Sequence, residues 1–270
     1  MATCYRHPGR ETGVSCSNCG NPICPDCMTA TPVGMRCPDC SKQRTPVRNL
    51  SSIAVEPIAT YVLVAVNVLI FLGAGYSSGA TADDLKLFAS LPYSDGTMHG
   101  VAEGEYWRLI SSGFLHEEIW HVFMNMLALF WLGRMMEPAL GHARFLGIYF
   151  VSLLGGSLGV LILDPNVPTL GASGAVYGLL GGAIVMARNR QIDLMQSGLV
   201  PILALNLAIT VLFSNRGISL GGHVGGLIAG FIATWVVEEL ARRRRSEVPA
   251  VVSCVILGAA LVAGSIVAAN

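Results

Sequence analysis

The sequence predicts an all-α polytopic membrane protein, a bundle of about seven spanning helices with a small finger domain at its N-terminus. Three observations carry this reading. Of 270 residues, 53% are hydrophobic and only 13% charged, with a mean hydropathy of +0.58, whereas a soluble domain devotes about a quarter of its residues to charge. From Pro57 onward, apolar stretches of near-spanning length alternate with short polar breaks. Seven of the eight cysteines fall in the first 40 residues, a length that rarely folds on an apolar core alone.

Residues 1–40 contain four pairs: Cys4-x-x-His7, Cys16-x-x-Cys19, Cys24-x-x-Cys27 and Cys37-x-x-Cys40. Eight such ligands suffice for two tetrahedral zinc ions. Closed Cys-rich sites of this kind are structural, and the metal supplies folding energy. A disulfide knot or a redox Cys-x-x-Cys pair is the competing reading, and a reducing compartment disfavours it. No apolar segment of a signal peptide precedes the cysteines, so the N-terminus is expected to stay on the side of synthesis. The finger has few basic residues (Arg6, Arg10 and Arg36) and the chain has no net charge, which argues against nucleic acid. A protein partner or a regulatory role is expected instead. Residues 41–56 read as a polar linker with Lys42, Arg44, Pro46 and Arg48.

The membrane domain is expected over 57–270. A span needs about 20 apolar residues, and candidates run roughly over 57–75, 118–136, 144–163, 170–188, 198–214, 218–238 and 249–268. The break at 76–117 is a long loop with room for short helices of its own. Basic residues assign sides. Lys42, Arg44 and Arg48, then Arg134 and Arg144, then Arg188 and Arg190, then Arg242 to Arg245 share one side, which the rule makes the cytoplasm. The opposite connections hold Lys86, Arg108 and Arg216 among several acids. The protein is therefore expected in the cell membrane, with its finger cytoplasmic and its C-terminus outside. The run Arg242 to Arg245 is most simply a topological anchor, with anionic lipid binding as a secondary reading.

Spans two, four and six then all run inward from the outer face. Near their starts lie His121 and Asn125, Ser173, and His223. Topology alone brings these four polar side chains to one depth, and polar groups inside spans usually face a protein interior or a wet cavity. A serine is a weak nucleophile until a base takes its proton, and histidine suits that task. Gly174, Gly178 and Gly182 form one stripe and Gly222, Gly226 and Gly230 another. Facing stripes of small residues allow close helix approach, which would bring Ser173 within reach of His223. His121 and Asn125 are one turn apart on one face, and both can donate to an oxyanion, as can the Ser173 amide near a helix start. Tyr177, one turn below Ser173, is in position to pack on the His223 ring.

Gly171-Ala172-Ser173-Gly174, His223-Val224-Gly225-Gly226 with Gly230, His121-x-x-x-Asn125, Trp107-Arg108 and Glu137-x-x-x-Gly141 together resemble, in order, the motifs of the rhomboid family. The resemblance covers roughly 57–240. It implies a rhomboid-like helical bundle, with a six-helix core and here a seventh C-terminal span. It also implies an intramembrane serine endopeptidase that cuts single-span membrane proteins near the outer end of the span, without a cofactor for catalysis. Ser173 would be nucleophile, His223 general base with no third acid, and Tyr177 a stacking support. His121, Asn125 and the Ser173 amide would form the oxyanion hole, with Gly171 and Gly174 flanking. The finger resembles cross-braced B-box or RING-type domains. That likeness implies Cys4, His7, Cys24 and Cys27 on one zinc and Cys16, Cys19, Cys37 and Cys40 on the other; sequential pairing is the other arrangement open. Taken alone, Trp107-Arg108 reads as an interfacial aromatic with a basic neighbour, Glu137 as a partner of a nearby arginine, and His116 as a surface residue. Two other functions fit a membrane bundle with buried polar groups: a catalytically silent relative that binds membrane clients, and a small-molecule transporter, for which the internal repeat is missing.

Overall fold

A computed structural model describes residues 2–42, 55–73, 83–94, 96–214, 218–243 and 246–270. Arg44, Pro46 and Arg48 of the expected linker, Arg216, and Arg244 and Arg245 lie outside the described residues. The chain divides into two compact units, Met1–Ala54 and Val55–Asn270.

The first unit is built on two hairpins. Strand β1 (Ala2–Cys4) pairs antiparallel with β2 (His7–Thr12), which sets Cys4 opposite His7. Strand β3 (Thr29–Thr31) pairs with β4 (Gly34–Arg36). Cys-Pro steps open a single 3-10 turn at Pro25–Cys27 and the short helix α1 (Pro38–Ser41), where proline's fixed φ suits a first helical position. The buried apolar cluster consists of Ile23 and six cysteines, Cys4, Cys16, Cys24, Cys27, Cys37 and Cys40. With one aliphatic side chain at its centre, this core has little besides sulfur to hold it.

The second unit is helical. It comprises α2 (Ile58–Gly73), the strand pair β5 (Leu91–Pro92) and β6 (Met98–His99), the short α3 (Arg108–Ser111), then α4 (Ile119–Leu140), α5 (His142–Leu163), α6 (Ser173–Asn189), α7 (Leu199–Phe213), α8 (Leu220–Arg243) and α9 (Val248–Ala269). Each of the seven expected spans corresponds to a helix. Among the described residues, α4, α5, α8 and α9 are long and apolar enough to cross a membrane. The other three are shorter: α2 and α7 are apolar helices of 16 and 15 residues, and the glycine-rich α6 has 17.

Helix α8 lies between α5 and α6, and glycine sets both contacts. Toward α5, a Cβ on Gly225 would collide with the carbonyl of Gly155, and one on Gly221 with that of Gly159. Toward α6, a Cβ on Gly226 would strike the Gly174 carbonyl and one on Gly230 the Gly178 backbone. The two expected stripes therefore face each other, except that Gly182 meets Thr234 and Met136 instead of a glycine. The matching glycines on α5 have the same spacing as those on α8 and were not singled out from the sequence. Cys254 of α9, the cysteine outside the finger, is buried against Gly147 of α5.

Glu137 corrects an expectation. Its fully buried carboxylate has no arginine partner among the described residues. It accepts the N–H groups of Ala59 and Thr60 at 2.8 Å each and the Thr60 hydroxyl at 2.6 Å. His142 Nδ1 lies 2.5 Å from its other side. An anion belongs at a helix N-terminus, where free N–H groups and the helix dipole converge. Glu137 of α4 thereby caps α2.

These contacts predict a contrast between two glycines. Gly230→Ala should destabilise the membrane unit by about 1–3 kcal/mol, the usual range for overpacking. Gly258→Ala on α9, where the added Cβ would meet Leu154 Cδ1 at an ordinary 3.5 Å, should be close to neutral. Thermal unfolding in detergent measures both, and equal midpoints for the two variants would refute the backbone-contact account.

Candidate active site

The loop between α2 and α4 is organised by Arg108. Its guanidinium is fully buried: Nε donates to Glu105 Oε2 at 2.7 Å, and Nη1 to the carbonyls of Asp83 and Lys86 at 2.7 and 2.8 Å. It also lies over the Phe88 ring at 4.4 Å. The plain reading of Trp107-Arg108 as an interfacial pair thus fails for Arg108, which is the hub of the loop. Trp107 is half exposed, but its indole N–H donates to the Asp84 carbonyl. Glu105, one of several acids in this loop, is the counter-ion. It takes His99 Nδ1 and the Gly100 N–H at 2.8 Å each besides Arg108. Burial alone would raise its pKa; His99, Arg108 and the Gly100 N–H outweigh that and hold it below the ordinary glutamate value.

This loop reaches the serine through backbone. Leu87 and Thr169 exchange two N–H···O bonds, at 2.9 and 2.8 Å, and the Gly171 N–H donates to the Ser112 carbonyl at 2.9 Å. Gly171 has φ +124°, a conformation that favours glycine. A Cβ there would lie 2.7 Å from His121 Nε2 and 3.8 Å from Ser173 Oγ. The space that a side chain would fill at 171 is thus bounded by an imidazole nitrogen and a hydroxyl. Helix α6 starts at Ser173 with no side-chain cap from Ala172, so the N–H groups of its first turn have no intrahelical acceptor.

His223 lies in the first turn of α8, where Ser219 Oγ accepts the Gly222 N–H at 3.0 Å. Its Nε2 is 2.9 Å from Ser173 Oγ, and its ring stacks on Tyr177 with centroids 4.0 Å apart and planes at 14°. Its Nδ1 is 2.7 Å from the hydroxyl of Thr210 on α7. The sequence reading missed Thr210: a threonine in an apolar helix ordinarily bonds its own backbone, and nothing in its spacing sets it apart. Asn125 is buried one turn below His121, and one of its two amide N–H groups donates to the His121 carbonyl at 3.0 Å; the amide carries a second N–H. His116 is not at the surface as expected. It is fully buried, edge-on to the His121 ring at 5.0 Å, and neither nitrogen has a hydrogen-bond partner among the described residues.

In the first unit, Cys4, His7, Cys24 and Cys27 form one cluster and Cys16, Cys19, Cys37 and Cys40 a second, with all ligand atoms of each within 4.8 Å of one another. This is the cross-braced grouping. A tetrahedron with metal–sulfur bonds of about 2.3 Å has edges of about 3.8 Å. Cys19 and Cys37 sulfurs are 3.8 Å apart, and His7 Nδ1 lies 3.4 to 3.8 Å from the sulfurs of Cys4, Cys24 and Cys27. The geometry fits a metal ion at each cluster. The Cys37 N–H points at Cys16 Sγ, 3.2 Å away, and a hydrogen bond to sulfur favours the thiolate a metal needs.

A family profile described as "Rhomboid domain" matches residues 103–239, just over half of the chain and including His121, Asn125, Ser173, Tyr177 and His223. "Rhomboid protease GluP" of Bacillus subtilis is 34% identical over 181 residues, covering 66% of this chain and 34% of that one. "Putative rhomboid protease YdcA" of the same organism is 35% identical over 172 residues, covering 59% and 86%. "RHOMBOID-like protein 4" of Arabidopsis thaliana is 38% identical over 145 residues, covering 51% and 35%. The chain thus spans about a third of the length of the first and third of these relatives and most of the second.

Two outcomes follow from the loop. Arg108→Ala should cost about 3–5 kcal/mol of stability, as breaking a buried ion pair does, and Arg108→Lys should recover little, because a point charge cannot serve the same fan of acceptors. Glu105 gives up its proton more readily folded than unfolded. Its stabilisation is therefore full above about pH 4.3 and is lost as pH falls from there through the lower folded value. Melting curves against pH should carry this acid limb in the wild type and show it flattened in Glu105→Gln; identical limbs would contradict the assignment.

Proposed function

The chain belongs to the rhomboid family, and from that premise we propose that it is an intramembrane serine endopeptidase whose nucleophile is Ser173 and whose general base is His223. The observation that carries the proposal is the 2.9 Å contact between Ser173 Oγ and His223 Nε2, two residues 50 positions apart on different helices. The names of relatives described as rhomboid proteases support the same activity.

Ser173 Oγ attacks the scissile carbonyl as His223 Nε2 takes its proton. The carbonyl oxygen becomes an oxyanion, met by the Ser173 N–H, His121 Nε2 and the second Asn125 N–H across the space left open at Gly171. His223 returns the proton to the leaving amine, which departs and leaves an acyl ester on Ser173. Water, deprotonated in turn by His223, then releases the acid and the free serine. From Ser173 to Arg188 at the basic end of α6 is 15 residues, about 22 Å of helix, less than the ~30 Å hydrocarbon core. That favours a cut within the bilayer, near the end of the substrate span farther from the basic residues. The substrates are membrane proteins with a spanning segment, met in the lipid. The positive-inside rule supports a cytoplasmic finger and a site open to the outer face.

The two Cys/His clusters are read as structural zinc sites. Zinc suits tetrahedral thiolate and imidazole ligands, and each ion would supply the cross-link that the sparse core of the first unit lacks. A protein partner for the finger is the accompanying reading, given its few basic residues.

A fluorophosphonate probe should label the wild-type protein at Ser173. Labelling should vanish in Ser173→Ala and fall by roughly 10³-fold or more in His223→Ala, with both variants still folded. Equal labelling of the wild type and Ser173→Ala would end the proposal. Metal analysis should find two zinc ions per chain, falling to one in Cys16→Ser, while probe labelling is unchanged. A full complement of zinc in that variant would refute the ligand set.

A further inference from the structure

Thr210 is the one buried residue among the described positions of α7, and its hydroxyl has three polar neighbours. The Asn206 carbonyl is 2.9 Å away, the Tyr177 phenol 2.8 Å and His223 Nδ1 2.7 Å. A hydroxyl has one proton and two lone pairs, so three contacts use it fully. The Asn206 carbonyl can only accept, so the Thr210 proton goes there. Both lone pairs then receive protons, one from the Tyr177 O–H and the other from His223 Nδ1. A neutral imidazole carries a single N–H. With that proton on Nδ1, the lone pair resides on Nε2, the atom facing Ser173 Oγ.

We propose that Thr210 is a positioning residue that holds His223 in the Nδ1–H tautomer and fixes the plane of its ring, so that Nε2 stands ready to accept the Ser173 proton. The proposal rests on the Ser-His reading of the site. The opposite tautomer would require Thr210 to donate to Nδ1. That would forfeit the Asn206 bond and point an N–H at Ser173, from which no proton could be taken. When Nε2 gains the serine proton, Nδ1 remains a donor and the bond to Thr210 persists, so no side chain has to turn during the transfer. In hydrolases with a Ser-His-Asp arrangement a buried carboxylate sets the tautomer. Here a neutral hydroxyl, oriented by a backbone carbonyl, does so without placing another charge at membrane depth, where charge is expensive. The same hydroxyl holds Tyr177, so the ring stack and the tautomer share one anchor.

The test uses the full chain in detergent with ¹⁵N-labelled histidine, the His223 signal being identified by its loss in His223→Gln. In the wild type and in Thr210→Ser, Nδ1 of His223 should be protonated and Nε2 unprotonated; in Thr210→Val, the signal should move toward the opposite tautomer or a mixture. Against a transmembrane substrate, Thr210→Val should lower kcat by about tenfold or more, as expected for losing one orienting hydrogen bond, with KM within about twofold and Thr210→Ser near wild type. A wild-type His223 protonated on Nε2, or a Thr210→Val variant with wild-type tautomer and kcat, would overturn the proposal. If the wild type cleaves nothing, the protease reading fails while the nitrogen spectrum still decides the role of Thr210.

Discussion

Helices α6 and α8 meet backbone to backbone, and the remainder of the site depends on that spacing. The Gly178 Cβ position lies 2.7 Å from the Gly226 carbonyl, and Gly226 and Gly230 leave no room for a methyl group against α6. Lipid gives helices no hydrophobic reason to associate, so close van der Waals packing and interhelical hydrogen bonds must hold the bundle. The glycines supply the first, and the bond between Ser173 and His223, one turn from the Gly174–Gly226 contact, belongs to the second. On its other face α8 is pinned to α5 by Gly155 and Gly159. The helix bearing His223 therefore has little freedom to shift relative to the helix bearing Ser173.

Several buried polar groups away from Ser173 and His223 find partners within the protein, as low-dielectric surroundings demand. Glu137 is neutralised by the N-terminus of α2, Arg108 by a glutamate and two carbonyls, and the Thr210 hydroxyl by three contacts. His116 beside His121, and the buried hydroxyls of Thr234 and Ser265, have no hydrogen-bond partner among the described residues. The loop network links to the site through the Gly171–Ser112 bond. A residue some 60 positions before the serine thus constrains the backbone that presents it.

Much of this was legible in the sequence. Helix existence came from apolar run length, and the grouping of His121, Ser173 and His223 came from topology, because alternate spans start at one face. The facing glycines and the Tyr177 stack followed from helical spacing. What stayed hidden needed three dimensions. Glu137 invited an arginine partner because charge pairing is the simplest rule, whereas the acceptor sites were filled by the backbone of a helix 77 positions earlier. His116 is polar and precedes a span, which reads as exposed; the structure buries it beside the His121 ring. Thr210 carries no pattern at all, since its role arises from the distance between α7 and α8. In the finger, spacing gave eight candidate ligands but not their division, and the cross-braced grouping became distinguishable from sequential pairing only in the structure, where Cys4 and His7 meet Cys24 and Cys27.

The account makes helix spacing the determinant of serine reactivity, and the most direct measurement is the rate of fluorophosphonate labelling of Ser173 in Gly226→Ala, in lipid, at a temperature where the variant stays folded. The added methyl has no room against the Gly174 carbonyl and must push α8 outward, separating Nε2 from Oγ without touching either residue. The account predicts labelling slowed by at least about tenfold, since a hydrogen-bonded base contributes roughly 10²–10⁴ to such a step. Labelling at the wild-type rate in a folded Gly226→Ala protein would contradict it.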